Sequence, residues 1–279
     1  MEGFVRVFLP LLAGYLLDFV IGELPSAYRP ELFFKRTINS VLSWMNRGTM
    51  RTLKGALLVI ASAGAIFIVT TLIWSYLLVY AAPAYLLLST LMIYWSLGSN
   101  KLIQAGDSAF NKNKDGNDQS AYARYETVIR MSSGLSKRIV SPVFYYCLGG
   151  IPLMLCSQFI HYLDERIGYK TTEFEDFGKV AAWSDDIINF IPSRIAAVLI
   201  LLISRSSAAW KYMMARGHLH PSPNTGYPLM AVSGVIGIDL LLPASEIKLT
   251  RVHYAYIRSL HYAVILVLVV AIGIYYFNW

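Results

Sequence analysis

Charged residues and cysteine are both scarce in this sequence, and each scarcity excludes a class of protein. Only 15% of the 279 residues are charged, whereas soluble domains carry about a quarter. Because 56% of the residues are hydrophobic and the mean hydropathy is +0.50, the composition predicts an integral membrane protein. The two cysteines, Cys147 and Cys156, lie inside one apolar segment, so a disulfide framework is not expected.

The sequence also lacks the alternating pattern of membrane β-strands. Continuous apolar runs such as "GALLVIASAGAIFIVTTLIWSYLLVY" have no period of two and are typical of membrane helices. The first segment does not resemble a signal peptide, because its front carries Glu2 and a single basic residue, Arg6. We therefore expect an all-α, polytopic protein that forms a single membrane domain over 1–279, with five to seven membrane segments. The apolar segments are 4–22, 55–80, 84–98, 139–160, 187–204, 229–243 and 260–278.

Basic residues concentrate in two polar stretches, 23–54 and 99–138, which the positive-inside rule places in the cytoplasm. Segments 55–80 and 84–98 then form a hairpin that breaks near Pro83. The formal charge of +7 suits anionic lipid headgroups or an anionic substrate. Nucleic acid is not an expected partner, because no basic stretch is interleaved with aromatic residues.

The stretch 161–186 is acidic and follows a segment that contains "CLGGIP". A simple crossing by 139–160 would put the acidic stretch outside the cell. A Gly149-Gly150 pair followed by Pro152 is instead typical of a helix that breaks or turns back. We favour this re-entrant interpretation, which keeps the acidic stretch on the cytoplasmic side.

The stretch "WSDDIINFIPSRIAAVLILLI", residues 183–203, places carboxylates at the front of a membrane segment. Asp185 and Asp186 lie four and three residues before Asn189, so a helix would put the three side chains on one face. Because a charge in the apolar region costs about 2.5 to 3.5 kcal/mol, we expect a cation between the carboxylates, and Mg²⁺ carried with nucleotide phosphates suits their chemistry. The alternative is a helix cap, with Ser184 as N-cap and both aspartates in the first turn.

Further polar residues accompany this stretch. Pro192 is expected to kink the helix, and Arg194 beyond it would bind an anion or pair with the aspartates. The motif "HLHPSPNTGYP", residues 218–228, predicts a rigid turn whose amides could face a phosphate at a helix start. Asp18, near the end of the first membrane helix, is expected to face a cavity or a polar partner.

A full crossing by 187–204 would put the aspartates and the Ser-Pro-Asn turn on opposite sides of the membrane. The two motifs can share a site only if that segment is partial or if one motif reaches inward. The sequence leaves this choice open.

Taken together, these motifs resemble one known family. "FGKVAAWSDDIINFIPSRIAA" and "SPNTGYPLMAVSGVIGI" are similar to two signatures of the CobD/CbiB family, the integral membrane adenosylcobinamide-phosphate synthases of cobalamin biosynthesis. "LDERIGYK", "SPVFYYCLGGIP" and the residues Asp18, Gly22 and Pro25 extend the resemblance along nearly the whole chain.

The resemblance implies an ATP- and Mg²⁺-dependent amide ligase. Such an enzyme joins a corrinoid, adenosylcobyric acid, to an amino-alcohol phosphate. The implied roles are Asp185 and Asp186 on Mg²⁺, Asn189 orienting them, Arg194, Lys170 and Asp18 on substrate or phosphate, and Ser222, Asn224 and Gly226 in an anion-binding turn.

The chain departs from the family pattern at "RMSSGLSKR", residues 130–138. Ser133 and Gly134 stand where the family has Glu-Asn, and Lys137 and Arg138 stand where it has Asp-Gly. Losing these acidic and amide ligands leaves a second interpretation, a non-catalytic member: a signalling-associated protein similar to the AmpE group, or a structural subunit with a homo-oligomeric or membrane-complex partner. Bound nucleotide or corrinoid would favour the enzyme, and a co-purifying protein would favour the alternative.

Overall fold

The computed structural model describes residues 3–22, 38, 41–42, 44–112, 118–168 and 174–277. Across these ranges the chain is helical and forms no strand, as the apolar runs predicted. The helices are α1 (Leu9–Ile21), α2 (Arg51–Tyr80), α3 (Ala82–Ser96), α4 (Ser99–Asp107), α5 (Asp118–Leu135), α6 (Ser141–Ile167), α7 (Lys179–Ile188), α8 (Phe190–Ser204), α9 (Ser207–Arg216), α10 (Pro223–Ile236) and α11 (Arg251–Phe277).

Several of these helices are long and apolar enough to cross a membrane. Within the described residues, four stretches pass by length and composition, and α7 with α8 adds a fifth if that bent pair is counted as one span. The four are Phe4–Ile21, Arg51–Tyr80, Ser120–Ile167 and Arg251–Phe277. The chain is therefore a helical membrane protein, and it reaches the lower bound of the predicted five to seven segments only if the bent pair counts as one span. Helices α3 and α10 fall short because 15 and 14 residues reach only about 22 Å against a core of about 30 Å.

Helices α2 and α3 form the predicted hairpin. Helix α2 ends at Tyr80, and α3 begins at Ala82 with Pro83 in its first turn. The indole Nε1 of Trp74 donates to Ser89 Oγ at 2.9 Å, which ties the two helices together. The proline stops the first helix and starts the second, as the sequence indicated.

Helix α6 turns back on itself. The backbone is non-helical at Gly149 and Gly150, and Gly150 has φ 66° and ψ −158°, a conformation that only glycine adopts readily. Lys137, just before α6, places its Nζ 3.9 Å from Asp164 Oδ2 near the end of α6. A straight helix of this length would hold its ends about 40 Å apart. The halves on either side of the glycines therefore run antiparallel.

This fold-back confirms the helix reversal that the Gly-Gly-Pro motif predicted. A second ion pair, Arg138 to Glu165 at 3.3 Å, also joins the two ends of α6. The acidic stretch that begins at 161 therefore starts beside the end of the polar stretch 99–138. The long apolar stretch Ser120–Ile167 includes this reversal, so it is not one straight crossing.

Helices α8 and α9 also form an out-and-back pair, so the chain returns to where α8 begins. From Arg194 the chain follows α8, reverses at Arg205, whose φ is 51°, and comes back along α9. Arg194 Nη1 then donates to Asn224 Oδ1 at 2.9 Å. The two ends of the segment 195–223 therefore lie next to each other. The Ser-Pro-Asn turn lies beside the aspartate motif. The two motifs therefore meet, as the sequence required for a shared site.

The break before α8 lies at Asn189 and not at the predicted Pro192. Asn189 has φ −83° and ψ 1°, and α7 and α8 meet there at 44°. Pro192 sits in the first turn of α8, where a backbone N–H has no intrahelical acceptor to lose. The proline is therefore compatible with a straight α8, and the kink prediction is wrong in position.

Helices α8, α9, α10 and α11 pack closely against one another. Ile200, Leu229 and Ile257, from α8, α10 and α11, belong to one fully buried apolar cluster. A Cβ on Gly234 would lie 2.7 Å from Ala209 Cα, so small residues let α10 approach α9. These contacts hold α10 against α8 and α9.

An ion pair closes the loop that follows α10. Arg216, at the end of α9, pairs with Asp239. Burial raises the pKa of Asp239, but the Leu241 amide and the side chains of Tyr212 and Arg216 outweigh that effect and hold the pKa below its usual value. The folded state therefore favours the charged carboxylate.

Candidate functional site

Asp185 lies near the carboxyl-terminal end of α7. The helix begins at Lys179, after Gly178, so Ser184 is inside it and the predicted N-terminal cap is wrong. A carboxylate near a helix C-terminus is disfavoured by the helix dipole. Asp185 must therefore be stabilised by donors from elsewhere in the fold.

Three side chains supply those donors. Lys137 Nζ donates to Asp185 Oδ2 at 2.8 Å. Asn189 Nδ2 donates to Asp185 Oδ1 at 2.7 Å, and His161 Nδ1 lies 3.1 Å from the same oxygen. The Asp185 side chain is 2% exposed. Both carboxylate oxygens are thus engaged in a buried setting, and the orienting role of Asn189 stays a prediction.

The two ends of the folded α6 extend this network. Lys137 also lies 3.9 Å from Asp164 Oδ2, and His161 Nε2 lies 3.3 Å from Glu165 Oε1. We call Lys137, His161, Asp164 and Asp185 the lysine cluster. The Lys137 ammonium lies between the carboxylates of Asp164 and Asp185 because the fold-back of α6 brings the basic residues before the helix against its acidic end.

Asp186 faces a different neighbour. Asn224 Nδ2 donates to the Asp186 backbone carbonyl at 2.8 Å and to Asp186 Oδ1 at 3.2 Å. Arg194 Nη1 donates to Asn224 Oδ1 at 2.9 Å. We call Asp186, Arg194 and Asn224 the Asn224 junction. It joins the two signature motifs through one carboxamide, across 38 residues of sequence.

The guanidinium of Arg194 is held between two aromatic rings. Its Cζ lies 3.8 Å from the ring centre of Phe190 and 4.4 Å from that of Tyr227. Nη1 also donates to Ser193 Oγ at 2.9 Å. The ring contacts and hydrogen bonds position the guanidinium, and a positioned guanidinium is suited to a carboxylate or a phosphate.

Ser222 and Gly226 support the turn in which Asn224 lies. Ser222 is the N-cap of α10, where its hydroxyl accepts from the Thr225 amide at 3.4 Å. A Cβ on Gly226 would lie 2.1 Å from the Gly217 carbonyl oxygen. The glycine thus permits close packing of the turn. The anion-binding role of these residues stays a prediction.

The remaining predicted site residues lie apart from these contacts. Asp18 is buried in α1, and its backbone carbonyl accepts from the Gly22 amide at 3.1 Å and from the Asn100 side chain. These contacts associate Asp18 with the start of α4. Lys170 lies outside the described residues.

The aspartates do not fit a shared magnesium ion. Successive residues of a helix point about 100° apart, and Asp185 turns to Lys137 while Asp186 turns to Asn224. Asn189 stays on Asp185, but the Asp186 side chain turns away from both of them. Among the described residues, the donors that come together as metal ligands are His161, Asp164 and Asp185, within 4.8 Å of one another. The Lys137 ammonium already lies against this group, so a resident Mg²⁺ does not fit there either.

Sequence reasoning missed Lys137 and His161 as site residues. In the sequence, Lys137 stands where the family has an acidic ligand, which indicates a lost ligand cluster. A signal for His161 was present, because it shares a helical face with Asp164 and Glu165 at spacings of three and four. Nothing local to Lys137 indicated that a helix reversal would carry it to Asp185.

Comparison with known proteins places the chain in a family. The family description "CobD/Cbib protein" matches residues 11–137 and 121–246. The chain belongs to the CobD/CbiB family. The match spans every residue of the lysine cluster and the Asn224 junction. No solved structure matches the chain significantly.

Relatives of this CobD/CbiB chain carry one consistent name. It is 26% identical over 260 residues to "Cobalamin biosynthesis protein CobD" of Clostridium perfringens, covering 82% of this chain and 81% of the relative. It is 29% identical over 266 residues to the probable protein of that name from Methanothrix thermoacetophila, covering 84% and 83%. The match to the Geobacter metallireducens protein is 33% identical over 115 residues and covers 39% of this chain and 36% of the relative.

Proposed function

We propose that this protein acts in cobalamin biosynthesis as a membrane enzyme that joins adenosylcobyric acid to an amino-alcohol phosphate through an amide bond, with ATP as co-substrate. The names of its relatives support the pathway. The observation that carries the proposal is the Asn224 junction, because it unites both signature motifs at one point. If the aspartate motif and the Ser-Pro-Asn turn lay far apart, they could not act on the same substrate.

The junction offers opposite charges to a substrate that carries both. Arg194 would receive the phosphate, since its guanidinium is positioned against the rings of Phe190 and Tyr227. Asp186 would receive the amine, since its carboxylate shares the Asn224 carboxamide with Arg194. An amino-alcohol phosphate has an ammonium and a phosphate a few bonds apart. The spacing of the two groups around one carboxamide suits such a compound.

Magnesium enters this proposal with the nucleotide. ATP would activate the corrinoid carboxylate, and Mg²⁺ accompanies its phosphates. No step is assigned to a metal on Asp185, because that carboxylate is saturated by Lys137, His161 and Asn189. We further propose that the polar stretches 23–54 and 99–138 face the cytoplasm, where ATP is found.

A second candidate is a family member that binds its ligands without joining them. The observation in its favour is the Lys137 to Asp185 ion pair, which neutralises a motif carboxylate with the chain's own side chain. Both candidates bind substrate at the Asn224 junction, and they differ in turnover.

Binding by the purified protein in detergent tests the shared part of the proposal. We expect adenosylcobyric acid and ethanolamine phosphate to bind, and Arg194→Gln and Asn224→Ala to weaken ethanolamine phosphate at least tenfold. Arg130→Gln is the matched control, because Arg130 is 71% exposed and pairs with Glu126 one helical turn away. Equal affinities for the wild type, Arg194→Gln and Asn224→Ala would contradict the proposed site.

A further inference from the structure

We propose that Lys137 is the resident cation of the lysine cluster, and that His161, Asp164 and Asp185 form a latent metal site that opens only when the ammonium is removed. The inference concerns an ion and not the reaction, so it goes beyond the proposed function. A chain that fails to bind a corrinoid can still pass the test below.

The donor set is chemically suited to a transition metal. It combines one imidazole nitrogen with two carboxylate oxygens, and the ligand atoms lie within 4.8 Å of one another. Sites with such mixed nitrogen and oxygen donors bind Zn²⁺, Co²⁺ or Mn²⁺. Asp185 and His161 are buried, so water competes weakly for the position.

Lys137 holds the position that the ion would take. Its Nζ lies 2.8 Å from Asp185 Oδ2 and 3.9 Å from Asp164 Oδ2, so it contacts both carboxylates of the donor set. A divalent ion bound to the same oxygens would lie a few ångströms from the ammonium and be strongly repelled. The lysine and the metal therefore exclude each other.

The fold holds the lysine in place. Lys137 lies in the short π-helical segment Ser136–Val140, directly before α6. The neighbouring pair Arg138 to Glu165 fastens this segment to the other end of α6. The Lys137 side chain is 20% exposed. The backbone that carries Lys137 is therefore anchored beside the acidic end of α6.

Co²⁺ titration of nucleotide-free protein tests the inference, because the visible spectrum of Co²⁺ reports its ligands. We expect Lys137→Met to bind one Co²⁺ at least tenfold more tightly than the wild type and than the charge-preserving control Lys137→Arg. Adding Asp185→Asn to Lys137→Met should abolish the site. Where Lys137→Met is poorly folded, Co²⁺ should raise its unfolding temperature and leave that of the wild type unchanged.

Two results would overturn the inference. One is a wild-type protein that binds one Co²⁺ as tightly as Lys137→Met and loses it on His161→Gln, since the lysine would then not exclude the metal. The other is a Lys137→Met protein, folded or partly folded, that gains neither a Co²⁺ spectrum nor thermal stability.

Discussion

The ion pair between Lys137 and Asp185 gives the sharpest stability prediction. At 2.8 Å, and with an effective dielectric constant of about 20, the gross attraction is about 6 kcal/mol. Desolvation offsets much of this attraction, but removing one partner strands the other charge and costs about 3 to 5 kcal/mol. Lys137→Met should therefore lower the free energy of unfolding by that amount. The double variant Lys137→Met with Asp185→Asn removes both charges and should lose less than the sum of the single variants, with a coupling free energy of about 2 to 3 kcal/mol.

Reversible unfolding in mixed micelles, followed by circular dichroism, measures this cycle. The matched control is the exposed pair of Arg130 and Glu126, at 3.2 Å with side chains 71% and 44% exposed. Its coupling free energy should be only about 0.3 to 0.5 kcal/mol. Additive effects at Lys137 and Asp185, within about 0.5 kcal/mol, would refute the reasoning that the two side chains form a buried pair.

Three further predictions follow from other parts of the fold. Gly150→Ala should lower the free energy of unfolding by about 1 to 3 kcal/mol, because alanine must enter a glycine-only conformation, whereas Gly64→Ala in the open surface of α2 should raise it by up to about 1 kcal/mol. Asn224→Ala should raise the dissociation constant for ethanolamine phosphate, measured by calorimetry, without preventing folding. Because the pKa of Asp239 is lowered in the folded state, its contribution to stability is present above the unfolded value of about 3.9 and lost as pH falls through the folded value. Asp239→Asn should flatten that acid-side loss in a plot of unfolding temperature against pH.

Each of these predictions has a result that would contradict it. Equal stability of Gly150→Ala and Gly64→Ala would mean that α6 does not turn at Gly150. Unchanged ligand affinity in Asn224→Ala would remove the carboxamide from the site. If the unfolding temperature falls equally steeply at low pH in Asp239→Asn and in the wild type, other carboxylates cause the loss of stability.

The sequence predicted those features of the fold that local chemistry determines. Proline at 83 marked the α2 to α3 hairpin, and the Gly149-Gly150 pair marked the reversal of α6, because each residue type restricts its own backbone. The two signature motifs predicted a polar site containing Asp186, Arg194 and Asn224. The structure unites those three residues at one junction.

The other features depended on contacts that no local pattern encodes. The start of α7 lies at Lys179, so helix packing and not the Ser184 side chain determined where the aspartates fall. The break at Asn189 also preceded the more obvious Pro192. Lys137 reaches Asp185 only because the fold-back of α6 closes 48 residues of sequence. The sequence shows that Lys137 departs from the family motif. It does not show that Lys137 contacts Asp185.

The most direct test of the central claim is product formation. The purified protein in lipid nanodiscs would be supplied with adenosylcobyric acid, ethanolamine phosphate, ATP and MgCl₂, and the corrinoid products identified by mass spectrometry. We predict an ATP-dependent amide product that Arg194→Gln abolishes and Arg130→Gln preserves. Folded wild-type protein that yields no product, under conditions in which another family member converts the same substrates, would contradict the proposed ligation.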